Sequence, residues 1–219
     1  MKASVIGATG YAGVELLRLL DGHPEAEIAV ITSESSTGEA IASMYPHLSG
    51  RIEKNLQSMQ ELDAIAAASD VIFIALPHGH AMKIGKQLRG SKTKIIDLGG
   101  DYRFKDYHVF EQWYKVKHED PEAQAVYGLT ELFRDKVRGA QLVANPGCYT
   151  TCSILALVPL DGATLWLFAG RRADHCVQRQ PRPADAVSQH PTGRFLDRDF
   201  RPGAGRGRGD LLAQPGGAG

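Results

Sequence analysis

Ala3-Ser-Val-Ile-Gly7-Ala-Thr-Gly10-Tyr-Ala-Gly13-Val-Glu-Leu-Leu-Arg-Leu-Leu20 is the stretch on which the fold turns. Ala3 to Ile6 is a short apolar run ending in glycine. Val14 to Leu20 has helical spacing and is closed by Asp21-Gly22 and Pro24. Between strand and helix lies a Gly-x-x-Gly-x-x-Gly loop, a variant of the dinucleotide fingerprint. Glycines there let the backbone turn tightly and approach a pyrophosphate, which rests on the helix N-terminus. Such a loop can also be a mere tight turn, but its place at the first strand-helix junction favours binding through Gly7, Thr9, Gly10, Tyr11, Ala12 and Gly13.

Outward from this unit the alternation continues. Ala26 to Thr32 reads as a strand, and Ser58 with Glu61 makes a capping-box signature before a helix through Ala68. Asp70 to Leu76 is a continuous β-branched run suited to a strand covered on both faces. A helix over roughly 81–88, a strand from Lys94 to Leu98, a helix over 131–137 and a strand from Gln141 to Ala144 follow. The expected fold class is α/β: a doubly wound, Rossmann-like parallel sheet over 1–147. Residues 148–160 read as a further helix, and 161–219 are expected to form a disordered tail.

Composition places that last boundary. Residues 1–160 hold sixteen Lys+Arg against nineteen Asp+Glu. Residues 161–219 hold nine arginines, no lysine and six acidic residues, with ten of the 24 glycines and five of the 11 prolines. Segments such as Arg201-Pro-Gly-Ala-Gly-Arg-Gly-Arg-Gly cannot bury enough apolar surface to offset their ordering entropy. A change of reading frame near codon 160 of GC-rich DNA accounts for this composition; the rival is a natural Arg/Gly-rich extension. For the whole chain the formal charge is zero, which removes the electrostatic reason to expect nucleic acid or an anionic membrane as partner. The longest apolar run is far short of a membrane span, the N-terminus has no room for a signal peptide, and three cysteines make no disulfide framework. A cytoplasmic setting is expected.

Three further stretches carry chemistry. Ser33-Glu34-Ser35-Ser36-Thr37 ends the second strand, where an NAD site wants an acid on the ribose. Glu34 could serve, but the hydroxyls around it, Ser33 and Ser35 among them, suit a 2′-phosphate and favour NADP. A polar turn is the bland reading. Leu76-Pro77-His78-Gly79-His80 follows the buried strand, where open sheets bind ligands, so cofactor contact is the better reading. No further ligands stand nearby for a metal. Asp97, Asp101 and Arg103 either shape the site or sit in a solvated turn. In Asn145-Pro146-Gly147-Cys148-Tyr149, the cysteine opens an apolar helical stretch. A thiol at a helix N-terminus meets orphan amides and the positive end of the dipole, which favour thiolate, the nucleophilic form. Cys148 is thus the candidate catalytic residue. Cys152, a turn deeper, better suits a buried structural cysteine, and Cys176 receives no role.

The motifs Gly-Ala-Thr-Gly-Tyr-Ala-Gly at 7–13, Leu-Pro-His-Gly at 76–79, Asp-Leu-Gly at 97–99, Tyr127-Gly128-Leu129 with Glu131, and Asn-Pro-Gly-Cys-Tyr at 145–149 resemble the N-acetyl-γ-glutamyl-phosphate reductase family, in that family's order. Thr150 stands where proline is common. The resemblance implies a cysteine that takes the γ-acyl group from N-acetyl-γ-glutamyl phosphate, NADPH as hydride donor, release of the semialdehyde in arginine biosynthesis, and a homo-oligomer. It also implies that 148–160 is the first helix of a second, α+β catalytic domain, and it stops near Leu160. The family's Ser-Gly-rich segment and its His-Pro-Glu-Ile acid/base histidine are not found, and neither His175 nor His190 inherits that role. Negligible turnover and weakened cofactor binding are therefore expected of this chain. The alternatives are a non-catalytic dinucleotide-binding module and a reductase of a related aminoadipyl phosphate.

Overall fold

The structure is a computed structural model and describes residues 1–158. The tail of 161–219, with Cys176, His175 and His190, and the last residues of the 148–160 segment lie outside the described residues. Six strands, β1 (Lys2–Ile6), β2 (Glu27–Thr32), β3 (Val71–Ile74), β4 (Lys94–Asp97), β5 (Val126–Tyr127) and β6 (Leu142–Ala144), form one sheet in the order β2-β1-β3-β4-β6-β5. All five pairings are parallel. Between and after them lie seven α-helices: α1 (Tyr11–Asp21), α2 (Ile41–Met44), α3 (Leu62–Ala67), α4 (Ala81–Gln87), α5 (Tyr107–Tyr114), α6 (Thr130–Gly139) and α7 (Cys148–Leu157). This is the doubly wound, Rossmann-like arrangement expected of alternating strands and helices.

The reason β3 reads as an unbroken apolar run lies in its two faces. Ile72 and Ile74 enter one buried cluster with Leu62, Ile65, Met82, Ile84 and Phe110. Val71 and Phe73 point to the opposite cluster, with Leu17, Leu20, Ile31, Ile41 and Leu56. A strand roofed by helices on both sides has no polar face to present. Fully burying such an apolar side chain contributes about 1.5–3 kcal/mol, enough to override the weak local propensities of short segments.

The chain leaves β1 toward β2 on one side and returns through β3 to the other. The strand order therefore reverses between β1 and β3, and parallel pairing puts every strand's C-terminal end on one edge. That is where open α/β sheets hold ligands. Among the described residues no helix is long and apolar enough to cross a membrane.

Local readings needed correction in three places. The Ser58-Glu61 capping box does not form: Ser58 Oγ accepts from the Gln60 amide at 3.2 Å, and α3 starts at Leu62 without a side-chain cap. The hydroxyl is taken up by an i→i+2 turn, the competing use of a serine. Helix α5 was not legible as apolar periodicity, because its face is built of aromatics, with Phe110 wholly buried and stacked on Tyr114. Its signal was the N-cap: Asp106 accepts from the His108 amide at 2.9 Å. Strand β5 is two residues long, shorter than any pattern of period two can reveal.

Candidate functional site

The glycine loop closes against its neighbours as tightly as the fingerprint requires. Gly7 has φ +84°, and a Cβ there would lie 2.5 Å from the Ala75 carbonyl oxygen at the end of β3. A Cβ on Gly13, inside α1, would lie 2.3 Å from the Gly7 oxygen and 2.8 Å from Ala8 Cα. Glycine at 13 thus lets the first turn of α1 lie on the loop. Gly10 is the N-cap of α1, and no side chain caps that end, so the orphan amides of the first turn remain for a ligand. A Cβ on Gly10 would meet nothing nearer than 3.6 Å. Tyr11 and Ala12 are exposed beside it.

Across the end of β2 the hydroxyls foreseen as a ribose-phosphate environment are gathered. Thr9 Oγ1 lies 3.1 Å from Ser33 Oγ, and Ser33 Oγ lies 3.4 Å from Ser35 Oγ. Ser33 is buried, while Ser35 and Glu34 are exposed. Tyr45, which the sequence did not single out, donates its hydroxyl to the Thr9 carbonyl at 2.6 Å and pins the loop from the segment after β2. Pairing across 36 residues leaves no local signature.

The Leu76-Pro77-His78 loop follows β3 at the same edge. It is held by the loop after β4: the Gly79 amide donates to both carboxylate oxygens of Asp101, at 2.8 and 3.0 Å, and the Ala81 amide donates at 3.1 Å. Asp101 thereby caps α4 from a distant segment, where an anion suits the helix dipole. Gly100 donates its amide to His78 Nδ1 at 2.9 Å, and His118 Nε2 lies 3.0 Å from the Asp101 carbonyl oxygen. Asp101 is 1% exposed and Asp97 0%, so the solvated-turn alternative for these two is overturned. The carboxylates are interior, and backbone amides donate to both of them. Among the described residues no group of three or more His, Cys, Asp or Glu is placed to hold a metal ion.

Burial pushes the Asp97 carboxyl up to about 7. The Gly99 amide and the Arg103 charge pull it down, and neighbouring Asp101 raises it. One oxygen accepts from the Gly99 amide at 2.8 Å, whereas Oδ2 is buried without a partner. With the folded value raised, the unfolded chain ionises first as pH climbs. Stability attached to this group is therefore present below the unfolded value near 4 and is lost as pH rises from there through about 7. Asp97→Asn, which cannot ionise, is expected to flatten that decline. The check is thermal midpoints at pH 5 and pH 8; an unchanged difference between them would count against this assignment.

Cys148 is the first residue of α7 and is exposed, as the motif reading placed it. Its N-cap, Gly147, offers no side-chain cap. Arg103 braces the turn before it, donating Nε to the Asn145 carbonyl at 2.8 Å and Nη2 to the Leu98 carbonyl at 3.0 Å. A Cβ on Gly147 would come 3.1 Å from Arg103 Nη1, so the guanidinium lies directly against this glycine. Thr150 donates Oγ1 to the Gly147 carbonyl at 2.9 Å, and the Tyr127 hydroxyl lies 3.3 Å from Thr150 Oγ1. Tyr127-Gly128-Leu129 is thereby explained: Gly128 donates its amide to Ala144 at 2.8 Å, and a Cβ there would meet Val143 Cγ1 at 2.8 Å. Burial raises the Tyr127 phenol above its ordinary value, keeping it a neutral hydroxyl near the cysteine turn.

The reading of Cys152 as a buried structural thiol is wrong: it is exposed. No residue of α7 is buried, so nothing among the described residues supplies the packing that reading needed. A cavity of about 380 Å³ flanks the site, sharing Arg103 and Tyr127 and adding His118, Gln124 and Lys136. The glycine loop does not line it.

Comparison with known proteins gives this edge a family. Residues 2–140 match the family described as semialdehyde dehydrogenase, NAD binding domain. The N-acetyl-gamma-glutamyl-phosphate reductase of Moorella thermoacetica is 48% identical over 162 residues, covering 73% of this chain and 46% of that protein. The protein of the same name from Pelotomaculum thermopropionicum is 49% identical over the same shares. The chain spans about half the length of the curated relatives it matches. Among solved structures, aspartate semialdehyde dehydrogenase II of Vibrio cholerae shares the fold at a TM-score of 0.56 and 17% identity, covering 74% of this chain and 46% of that one. The Candida albicans aspartate semialdehyde dehydrogenase with NADP does so at 0.53 and 20%, covering 74% and 47%. With its glycine loop at the head of a parallel sheet and its match running through five of the six strands and ending just short of β6, the chain belongs to the semialdehyde dehydrogenase NAD-binding domain family.

Proposed function

We propose that this chain carries the dinucleotide-binding half and the acyl-accepting thiol of an N-acetyl-γ-glutamyl-phosphate reductase, an NADP-dependent enzyme of arginine biosynthesis. The observation that carries the reading is Cys148 at the exposed, uncapped start of α7, in a chain 48% identical over 162 residues to a protein of that name. Gly7, Thr9, Gly10, Tyr11, Ala12 and Gly13 would hold the dinucleotide, with Ser33 and Ser35 toward the ribose and Leu76, Pro77 and His78 along the next loop. The fit rests on the cradle that a Cβ at 7 or 13 would fill and on the open N-terminus of α1. The hydroxyls at 9, 33 and 35 favour NADP over NAD, and no acidic side chain is buried among them.

In the proposed chemistry the Cys148 thiolate attacks the γ-carbonyl of the acyl phosphate. A carbon–sulfur bond forms, the carbon–oxygen bond to phosphate breaks, and inorganic phosphate leaves. The orphan amides at the start of α7 favour the thiolate, and Thr150 and Arg103 hold the turn that presents it. When bound, the nicotinamide supplies the hydride that converts the thioester to aldehyde, returning the cysteine. Splitting one difficult reduction into two easier steps is what a covalent thioester provides.

The segment 148–160 opens the second domain in this reading, and the substrate is a small acyl phosphate met in the cytoplasm. Multiple turnover by this chain is expected to be negligible, since 161–219 lacks the family's acid/base histidine motif. Incubating the chain with freshly generated N-acetyl-γ-glutamyl phosphate and mapping acylation by mass spectrometry tests the first half-reaction alone. A hydroxylamine-labile adduct on Cys148 supports the reading; acylation elsewhere, or none while the thiol still alkylates, refutes it. NADPH and NADH titrations by fluorescence test the cofactor. Tighter NADPH binding by about tenfold, or 1.4 kcal/mol, is expected, and equal or tighter NADH binding would reverse the choice.

A further inference from the structure

Helix α7 bears two cysteines four residues apart, Cys148 and Cys152, and both are exposed. Residues at i and i+4 lie one above the other on a helix face, with Cβ atoms about 5–6 Å apart. A disulfide needs Cβ atoms at about 3.5–4.5 Å and sulfurs at about 2.0 Å, so an intact helix does not let these two close on each other. The same spacing does let two sulfurs converge on one larger soft atom set between them. The local geometry keeps the helix regular at this point: the Thr151 amide donates to the Gly147 carbonyl at 2.9 Å, and Thr150 ties to the same carbonyl. Two thiols on one rigid, accessible face form a preorganised bidentate donor, whose second bond is made at high effective concentration. Zinc, which takes four protein ligands in a structural site, is poorly served by two sulfurs. An electrophile that completes its bonding with two thiolates is well served.

We propose that Cys148 and Cys152 form a dithiol site that captures trivalent organoarsenicals of the type R–As(OH)₂. Each thiol gives up its proton, two arsenic–oxygen bonds break as two arsenic–sulfur bonds form, and two waters leave. Arsenic stays trivalent throughout, so no oxidant or reductant is consumed. Capture occupies the sulfur of Cys148 and removes it as a nucleophile, whatever reaction that nucleophile serves. The site does not depend on the catalytic reading.

The test uses the whole chain with Cys176→Ser, so that only the helical pair remains. Phenylarsine oxide, which hydrates to the dihydroxy form, is added in equimolar amount and followed by intact mass. The expected result is one phenylarsenic per chain, retained against a large excess of glutathione and stripped by 2,3-dimercaptopropanol. Both cysteines should become inaccessible to iodoacetamide in the adduct. In the same background Cys152→Ser and Cys148→Ser should each lose the glutathione-resistant adduct; because both side chains are exposed, circular dichroism should show the fold unchanged. Absence of the adduct in Cys176→Ser overturns the proposal. So does a glutathione-resistant adduct that persists in either single-cysteine variant.

Discussion

Gly13→Val is expected to leave little folded protein, whereas Gly10→Ala is expected to leave the thermal midpoint nearly unchanged. Both glycines belong to one motif, and sequence alone gives no ground for separating them. The separation is geometric. A Cβ at 13 would sit 2.3 Å from the Gly7 carbonyl oxygen and 2.8 Å from Ala8 Cα, all backbone atoms. No side-chain rotation relieves such contacts, so α1 must lift from β1 and uncover Leu17 and Leu20, which are buried against the sheet. Losing that packing costs several kcal/mol, in the range of buried Leu truncations of about 2–5 kcal/mol each, against a total stability of about 5–15 kcal/mol. Gly10 has φ −76° and a Cβ there would make only ordinary van der Waals contacts, the nearest 3.6 Å from the Gly7 oxygen, so alanine fits there. Its effect should fall on dinucleotide binding, because the added methyl stands at the uncapped helix start where a pyrophosphate would lie. Urea unfolding and NADPH fluorescence titration of the two variants separate these effects. A Gly13→Val chain with wild-type stability would refute the packing account of the loop.

Cys148→Ser is expected to reduce acyl transfer from N-acetyl-γ-glutamyl phosphate by at least about 10³-fold, the scale on which removing a nucleophile acts. Stability should hardly move, since the side chain is exposed and a hydroxyl replaces a sulfhydryl of similar size. Cys152→Ser, one turn away on the same face, should retain acylation. The contrast matters because both thiols are accessible, and accessibility alone would predict equal reaction. Only Cys148 stands at the helix start, where orphan amides and the dipole act; the effect falls off beyond the first turn. Quantitative mass spectrometry of the acyl adduct in the two variants, beside circular dichroism, gives the measurement. Equal acylation of the two single variants would remove the helix N-terminus as the cause.

Much of this is legible in the sequence alone. The order of strands and helices followed from runs bounded by turn residues, and the fully apolar β3 announced burial on both faces. The Gly-x-x-Gly-x-x-Gly loop and Cys148 after Pro146-Gly147 were readable because both are local: a strand end, a turn and a helix start within a few residues. Helix α5 escaped because its buried stripe is aromatic, and β5 because two residues carry no period. The Ser58 capping box misled because a serine hydroxyl has a second use within its own turn.

What the sequence by itself determined is the parallel α/β framework, the glycine loop and the cysteine at the head of α7, each fixed by propensity and spacing over short stretches. Tertiary structure alone decided what surrounds them. Asp97 and Asp101 looked as fit for a solvated turn as for a site; Asp101 became interior because the loops after β3 and β4 meet, and Asp97 because it ends a strand paired on both sides, with β3 and β6. Tyr127 came to brace the cysteine turn through Thr150, 23 residues on, and Cys152 is exposed on a helix none of whose residues is buried. These outcomes rest on contacts between segments distant in the chain, where burial and hydrogen bonding depend on which surfaces meet, and no local pattern encodes that meeting.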